Sequence, residues 1–286
     1  MLQVARLAPR LLADATPKVT AFYDEQFNDD GGGCDRAGRS DLYYTVFAAE
    51  GMLALQSELP ADAMRGYLEK FGPGDDLDLV HLGCLARCWA CLGPDAASAS
   101  VADGILLNLE RFRAADGGFD AKVGSDEGTV YHAFIALGAC QDVGREMTRL
   151  DEVVASVEGL RTGDGGYANT KSLPVGSTTV TAAAVTILRY LGRDVPQNIG
   201  SWILQRIHAD GGFLAAPRAP MPDLLSTATA LHALSGLQID YTPVRERCLD
   251  FIDTLWTGQG FCGHWADDVL DAEYTFYALL SLGHLS

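Results

Sequence analysis

Glycine-centred turns recur along this chain at a nearly constant interval. DGGF at 116–119, DGGY at 164–167 and DGGF at 210–213 lie 48 and 46 residues apart, and GQGF follows at 258–261. DDGGG at 29–33 and FGPGDD at 71–76 occupy the two earlier places, which makes six turns. Self-similarity at such a period marks a stacked or closed array of supersecondary units, and it constrains the fold more than local propensity does.

Each turn separates two helical stretches. VADGILLNLERFRA, LDEVVASVEGLRT, IGSWILQRIHA and VRERCLDFIDTLW precede turns and carry apolar residues at three- and four-residue spacing with charges between them. The glycines stop these helices, as at a C-cap. The stretches after the turns begin at Asp41, Asp78, Asp126, Ser177, Asp223 and Asp271, all of N-capping type. They are poorer in charge, and STTVTAAAVTIL has none. A helix that is apolar all round is buried on all sides. Amphipathic helices alternating with buried ones predict two concentric rings. An open solenoid needs polar capping repeats, whereas the last stretch, DAEYTFYALLSLGHLS, stays apolar to the end. The expected fold is therefore all-α, an α6/α6 barrel (toroid) of six helix-pair repeats in one domain spanning residues 1–286.

Counting from the capping residues, positions +4, +7, +8 and +11 are small or apolar throughout, as in Thr275, Ala278, Leu279 and Leu282. That face is expected to pack on the outer ring. Positions +3, +6 and +10 vary between repeats and are expected to face the centre. They read Tyr44, Phe47, Gly51; His81, Cys84, Cys88; Thr129, His132, Ala136; Val180, Ala183, Ile187; Ser226, Thr229, Ala233; Tyr274, Tyr277, Ser281. A centre built this way is aromatic on one side and small on the other. It forms a deep apolar cavity with polar groups near the mouth, unless the large residues fill it.

The net charge of −17 argues against a nucleic-acid partner and against anionic membrane surfaces. No run of about 18 apolar residues predicts a membrane span. Arg6, Arg10 and Asp14 break the apolar N-terminus, which argues against a signal peptide. Seven cysteines, an odd number without framework spacing, fit a reducing, cytoplasmic setting, and no paired CxxC predicts a structural zinc site.

The DGGF-type turns followed by inner helices resemble the prenyltransferase and squalene-cyclase repeat over essentially the whole chain. That resemblance implies a toroid that binds isoprenoids at its centre. GGGCDRAGRSDLYYTVF at 31–47 further resembles the first repeat of the β subunits of zinc-dependent protein prenyltransferases. It implies that Arg36 and Arg39 bind a diphosphate with Tyr44, and that Asp41 binds zinc together with His81 of DLVH. An isoprenoid chain would then lie along Phe47, Tyr274 and Tyr277, with Tyr43, Cys84 and His132 completing the substrate pocket. The expected catalytic residues are Asp41, His81 and Tyr44. The chain departs from the family where Tyr43 stands in place of the zinc-binding cysteine. A phenol is a poor zinc ligand beside a thiolate, which leaves Cys34 or Cys84 as candidates for a third ligand.

Two guanidiniums and a phenol at a helix N-terminus suit an anion. The leading functional expectation is thus transfer of a prenyl group from an isoprenoid diphosphate to an acceptor, with zinc as the possible cofactor. Enzymes of this kind work with a separate helical subunit, which this chain does not contain. The alternatives are a class II terpene cyclase and a non-catalytic isoprenoid- or lipid-binding module. For the cyclase, PDLLSTA at 222–228 keeps only Asp223 of the Asp-x-Asp-Asp acid motif, with Leu225 and Ser226 in the other acidic places.

Overall fold

The structure is a computed structural model and describes residues 1–286. Two short N-terminal helices, α1 (Leu2–Ala5) and α2 (Pro9–Leu12), precede six helix pairs. The pairs are α3 (Thr16–Asp24) with α4 (Leu42–Ala54), α5 (Ala61–Glu69) with α6 (Leu79–Cys91), and α7 (Ala99–Glu110) with α8 (Val130–Asp142). Then come α9 (Leu150–Glu158) with α10 (Thr178–Tyr190), α11 (Ile199–Leu204) with α12 (Leu224–Gly236), and α13 (Arg245–Asp253) with α14 (Ala272–Leu285). Each even-numbered helix from α4 onward packs on the next, and α14 closes on α4. The odd-numbered helices from α3 to α13 cover this inner ring from outside. The α6/α6 toroid read from the repeats is the observed architecture. All seven cysteines are free, and no helix is long and apolar enough to cross a membrane.

The turns explain why the repeat carries Asp, Gly and an aromatic. In the third repeat Asp116 accepts from the N–H groups of Gly118 and Gly128, so one carboxylate ties the two ends of the connection together. Asp164 does the same for Gly166 and Gly176. The aromatic after the glycines is buried in each case: Phe119, Tyr167, Phe213 and Phe261. Gly211 has φ +89°, and an added Cβ there would lie 1.8 Å from the Arg247 carbonyl oxygen, so only glycine fits this crossing.

The +4 column has a role that its composition hid. Thr45, Thr181, Thr227 and Thr275 are fully buried, and each hydroxyl accepts from a turn N–H: Gly33, Tyr167, Phe213 and Phe261. This bond docks each turn on its own inner helix. Thr227→Val removes the acceptor and strands the Phe213 N–H in the core. We expect a loss of about 1–3 kcal/mol, read as a lower urea midpoint at unchanged slope. A loss within experimental error would show that the bond is dispensable.

Two readings of the inner helices are corrected. The third inner helix is capped by Thr129, not Asp126: the Thr129 hydroxyl accepts from the His132 N–H at 3.0 Å. Asp126 lies in the connecting arm, a run of bends and turns, and the helix begins only after the Thr129 N–H has bonded to the Phe119 carbonyl. The phase of the inner face is also shifted. Gly51, Cys88, Ala136, Ile187, Ala233 and Ser281 were expected to face the centre but do not line the cavity. Gly51 instead faces Tyr23 of α3, whose ring stands 2.1 Å from where a Cβ would sit. The lining positions are +2, +5, +6 and +9 from the caps, a rotation of about 80° from the expected stripe.

Candidate functional site

The inner ring encloses a cavity of about 420 Å³. Its length, from the +2 to the +9 level, is about 10 Å of helix. The belt between these levels is apolar and aromatic, with Val46, Phe47, Phe134, Ile135, Phe276 and Tyr277 in the wall. Phe47 is the centre of an edge-packed cluster, with ring centroids 5.0 Å from Tyr43, 5.5 Å from Tyr277 and 6.0 Å from Phe276. The cavity is open rather than filled by its aromatic side, and Ala182, Ala183 and Thr229 supply the small side.

At the rim formed by the N-terminal ends of the inner helices, the Tyr43 hydroxyl donates to Glu273 Oε1 at 2.7 Å. Burial pushes the Glu273 carboxyl above the usual range, against the Tyr43 hydrogen bond that lowers it. Burial also raises the Tyr43 phenol well above its ordinary value. Glu273 lines the cavity beside Phe276 and Tyr277 and is the acid that most directly faces it at this end.

Asp41 and His81 are brought together as expected. Asp41 caps α4, accepting from the Tyr43 N–H at 2.9 Å, and its second oxygen lies 3.4 Å from His81 Nε2. His81 Nδ1 lies 2.9 Å from Asp78 Oδ2. The two carboxylates thus sit on opposite ring nitrogens and do not converge on one point. No three His, Cys, Asp or Glu side chains form a group able to hold a metal ion. Cys34, a candidate third ligand, bonds Asn28 instead, and Cys84 lies in the cavity wall with its thiol pushed up by burial. This donor set does not fit a tetrahedral zinc.

The arginines of the glycine turn are both committed to carboxylates. Arg36 Nε donates to Asp271 Oδ2 at 2.7 Å and Nη2 reaches Asp267 at 3.0 Å. Arg39 forms a forked pair with Asp35 and is 80% exposed. Arg36 has counterparts around the ring, one through a side chain and two through backbone carbonyls. The Asn169 side chain accepts from the Tyr131 N–H, the Ala215 carbonyl from the Thr178 N–H, and the Gly263 carbonyl from the Leu224 N–H. In each case the arm of one repeat stitches the first turn of the preceding inner helix. Arg36, on the arm of the first repeat, makes the closing stitch to the cap of the last. Its guanidinium also lies 5.7 Å from the ring centre of Tyr274.

Tyr43, Phe47, Cys84 and Tyr277 therefore line the cavity, whereas Tyr44, His132 and Tyr274 do not. His132 is turned to the Thr129 hydroxyl at 2.8 Å because its helix starts three residues later than expected. Tyr274 instead packs against Gly263, where a Cβ would lie 2.7 Å from its ring.

The opposite end of the cavity holds a cluster that the sequence analysis missed. Arg87 donates through Nη1 to Glu50 and through Nε to Asp142, each at 2.7 Å. Glu50 is only 5% exposed. His232 lies at the same level, with its Nδ1 3.0 Å from His284 Nε2. A signal for these residues existed. Glu50 is the one charged residue between Leu42 and Ala54, and Arg87 the one Lys, Arg, Asp or Glu between Leu79 and Cys91. A lone charge in an apolar inner helix needs a buried partner.

The family profile described as the prenyltransferase alpha-alpha toroid domain matches residues 64–206 and, again, 181–285. No curated protein matches the sequence. Among solved structures, protein geranylgeranyltransferase-I of Candida albicans, complexed with GGPP, superposes with TM-score 0.71 at 14% identity, covering 93% of this chain and 90% of that one. The type II terpene cyclase MstE of Scytonema superposes with TM-score 0.65 at 13% identity, covering 96% and 98%. A variant of MstE with geranylgeranyl dihydroxybenzoate bound as substrate gives TM-score 0.66 at 12% identity, with 97% of each chain covered. At these identities the likeness is one of fold. With matched residues running from 64 to 285, and with six inner helices closed around one cavity, the chain belongs to the prenyltransferase α-α toroid family.

Proposed function

We propose that this chain binds a linear isoprenoid in its central cavity and is a prenyltransferase-like enzyme, passing the prenyl group of an isoprenoid diphosphate to an acceptor at the N-terminal rim. The observation that carries the reading is the cavity itself: an aromatic and apolar belt with its carboxylates and guanidinium confined to its two ends. Such a wall takes up hydrocarbon by the hydrophobic effect and leaves the polar head at a rim. Two solved toroids of the same fold hold isoprenoid compounds, one GGPP and the other geranylgeranyl dihydroxybenzoate. Tyr43, Phe47 and Tyr277 would flank the chain nearest the reacting carbon. The diphosphate would exchange with Asp35 for Arg39 and with Asp267 for Arg36, leaving Arg36 on Asp271. Asp41 and His81 would sit beside the head group. No step is routed through zinc, because the donors do not converge.

One observation favours a second reading. Glu273 is a carboxyl whose affinity for its proton is raised by burial, set against an aromatic cavity and held by Tyr43. That is the requirement for an acid that protonates an alkene in an acid-initiated cyclisation.

Calorimetric titration with geranylgeranyl diphosphate and with geranylgeraniol separates these cases. Micromolar binding of the diphosphate, weakened at least about tenfold by Arg39→Ala, is the expected result. Equal affinities for diphosphate and alcohol would remove the diphosphate half and leave the cyclase or a binding module. Turnover lost in Glu273→Gln but unchanged in Arg39→Ala would favour the cyclase. Binding of neither ligand would overturn the isoprenoid assignment.

A further inference from the structure

The cavity floor is not what a plain hydrocarbon tail requires. Glu50, Arg87 and Asp142 meet there, and Thr186 and His232 lie at the same +9 level. Desolvating charged groups against methyl ends is costly unless every donor and acceptor is partnered. Within the protein the cluster is incomplete. Arg87 uses Nε and Nη1, while Nη2 has no protein partner. That nitrogen stands 3.9 Å from where a Cβ on cavity-lining Gly138 would lie, so it borders the cavity. His232 spends Nδ1 on His284 and keeps its second ring nitrogen.

The charge balance limits what completes the cluster. The Met1 ammonium also lies near Glu50 and Arg87, so two cations face two carboxylates and no net positive charge remains for a second anion. A free donor beside free acceptors suits one neutral group that both accepts and donates. A hydroxyl does this, taking the Arg87 Nη2 hydrogen and giving its own to the second ring nitrogen of His232.

Resting on the isoprenoid reading above, we propose that the ligand is an isoprenoid with an oxygen function at the end remote from its head group, a terminal hydroxyl that the Arg87–Glu50 floor binds. The floor then selects among isoprenoids by the polarity of the far end. The Arg87 side chain is 35% exposed, so the hydroxyl takes the place of water on Nη2, and an analogue without it displaces that water with no hydrogen bond in return.

The test uses two alcohols without diphosphate, so that it depends on the floor alone: farnesol, and farnesol hydroxylated on its terminal methyl. The full chain is titrated with each by calorimetry. We expect the ω-hydroxylated alcohol to bind at least about tenfold tighter. Replacing the whole cluster at once, Glu50→Leu with Arg87→Met and Asp142→Leu, avoids a stranded charge, and it should reverse the preference. If that variant does not fold, His232→Phe keeps the ion cluster and should weaken only the hydroxylated ligand. Equal affinities in the parent protein overturn the floor assignment while leaving the isoprenoid reading standing. A preference that survives in the cluster variant, or in His232→Phe, overturns it as well. Binding of neither alcohol overturns both.

Discussion

Arg36→Ala is expected to lower the unfolding free energy by about 2–3 kcal/mol and the melting temperature by roughly 5–8 °C. The carboxylate it leaves behind is the reason. Asp271 is only 4% exposed, caps the last inner helix through the Tyr274 N–H, and takes two contacts from Arg36, at 2.7 and 2.6 Å. Without the guanidinium, a nearly buried charge keeps one strong partner fewer, and the arm of the first repeat loses its hold on the sixth. Breaking a fully buried pair costs about 3–5 kcal/mol; the lower figure allows for water reaching the Arg36 side, whose side chain is 38% exposed. Arg39→Ala is the matched control. Its forked pair with Asp35 is solvent-facing and its loss should cost less than about 1 kcal/mol. Adding Asp271→Asn to Arg36→Ala should recover part of the loss, since the capping oxygen remains while the stranded charge goes. Thermal unfolding of the four proteins decides the matter. If Arg36→Ala melts within about 1 °C of the parent, ring closure does not depend on this clasp.

The second large effect is acid destabilisation from the histidine pair. Burial pushes His232 down to about 4 and His284 down to about 3. Both rings are thus neutral in the fold at neutral pH. The unfolded chain takes up these protons near pH 6.5, before the folded one can. The unfolded state therefore binds more protons below that pH, and the stability present above pH 6.5 is lost as pH falls towards 4. For His232 alone the depression amounts to about 3 kcal/mol. Urea midpoints at pH 7 and pH 4.5 should fall further for the parent than for a variant with His232→Leu and His284→Leu. Comparing the two proteins cancels the carboxylates common to both. Parallel losses would mean that the pair titrates as it does in water.

Much of the architecture was legible in the primary structure because each repeat repeats its reason. The turns of the third and fourth repeats need a carboxylate that ties both ends of the arm, a residue with positive φ and a ring to bury; Asp116, Gly117 and Phe119 supply all three, and Asp164, Gly165 and Tyr167 repeat them. The site was legible only in part. Tyr43, Phe47, Cys84 and Tyr277 were read from the first, second and sixth repeats and do line the cavity. Tyr44 and Tyr274 at +3, and His132 at +6 from Asp126, do not. The inner helices are apolar on every side, so no polarity contrast sets their rotation. A shift of about 80° exchanges the +3 and +10 positions for +2, +5 and +9 and keeps +6. That shift removed Gly51 and Ser281 from the centre and brought in Glu50, Arg87, His232 and Glu273.

What the sequence determined by itself is therefore periodic and local: six turns, the capping aspartates Asp41, Asp78, Asp223 and Asp271, and an alternation of wet and dry faces that only a closed ring satisfies; Ser177 stands at its helix start without a side-chain capping bond. What the tertiary structure decided is which carboxylate each arginine meets. Arg36 and Asp271 are 235 residues apart, and Arg87 and Asp142 are 55 apart. Closing the ring brings the first pair together and packing α6 on α8 brings the second. Charge pairing across such separations follows from the geometry of closure, because a salt bridge carries no periodic trace in the chain that forms it.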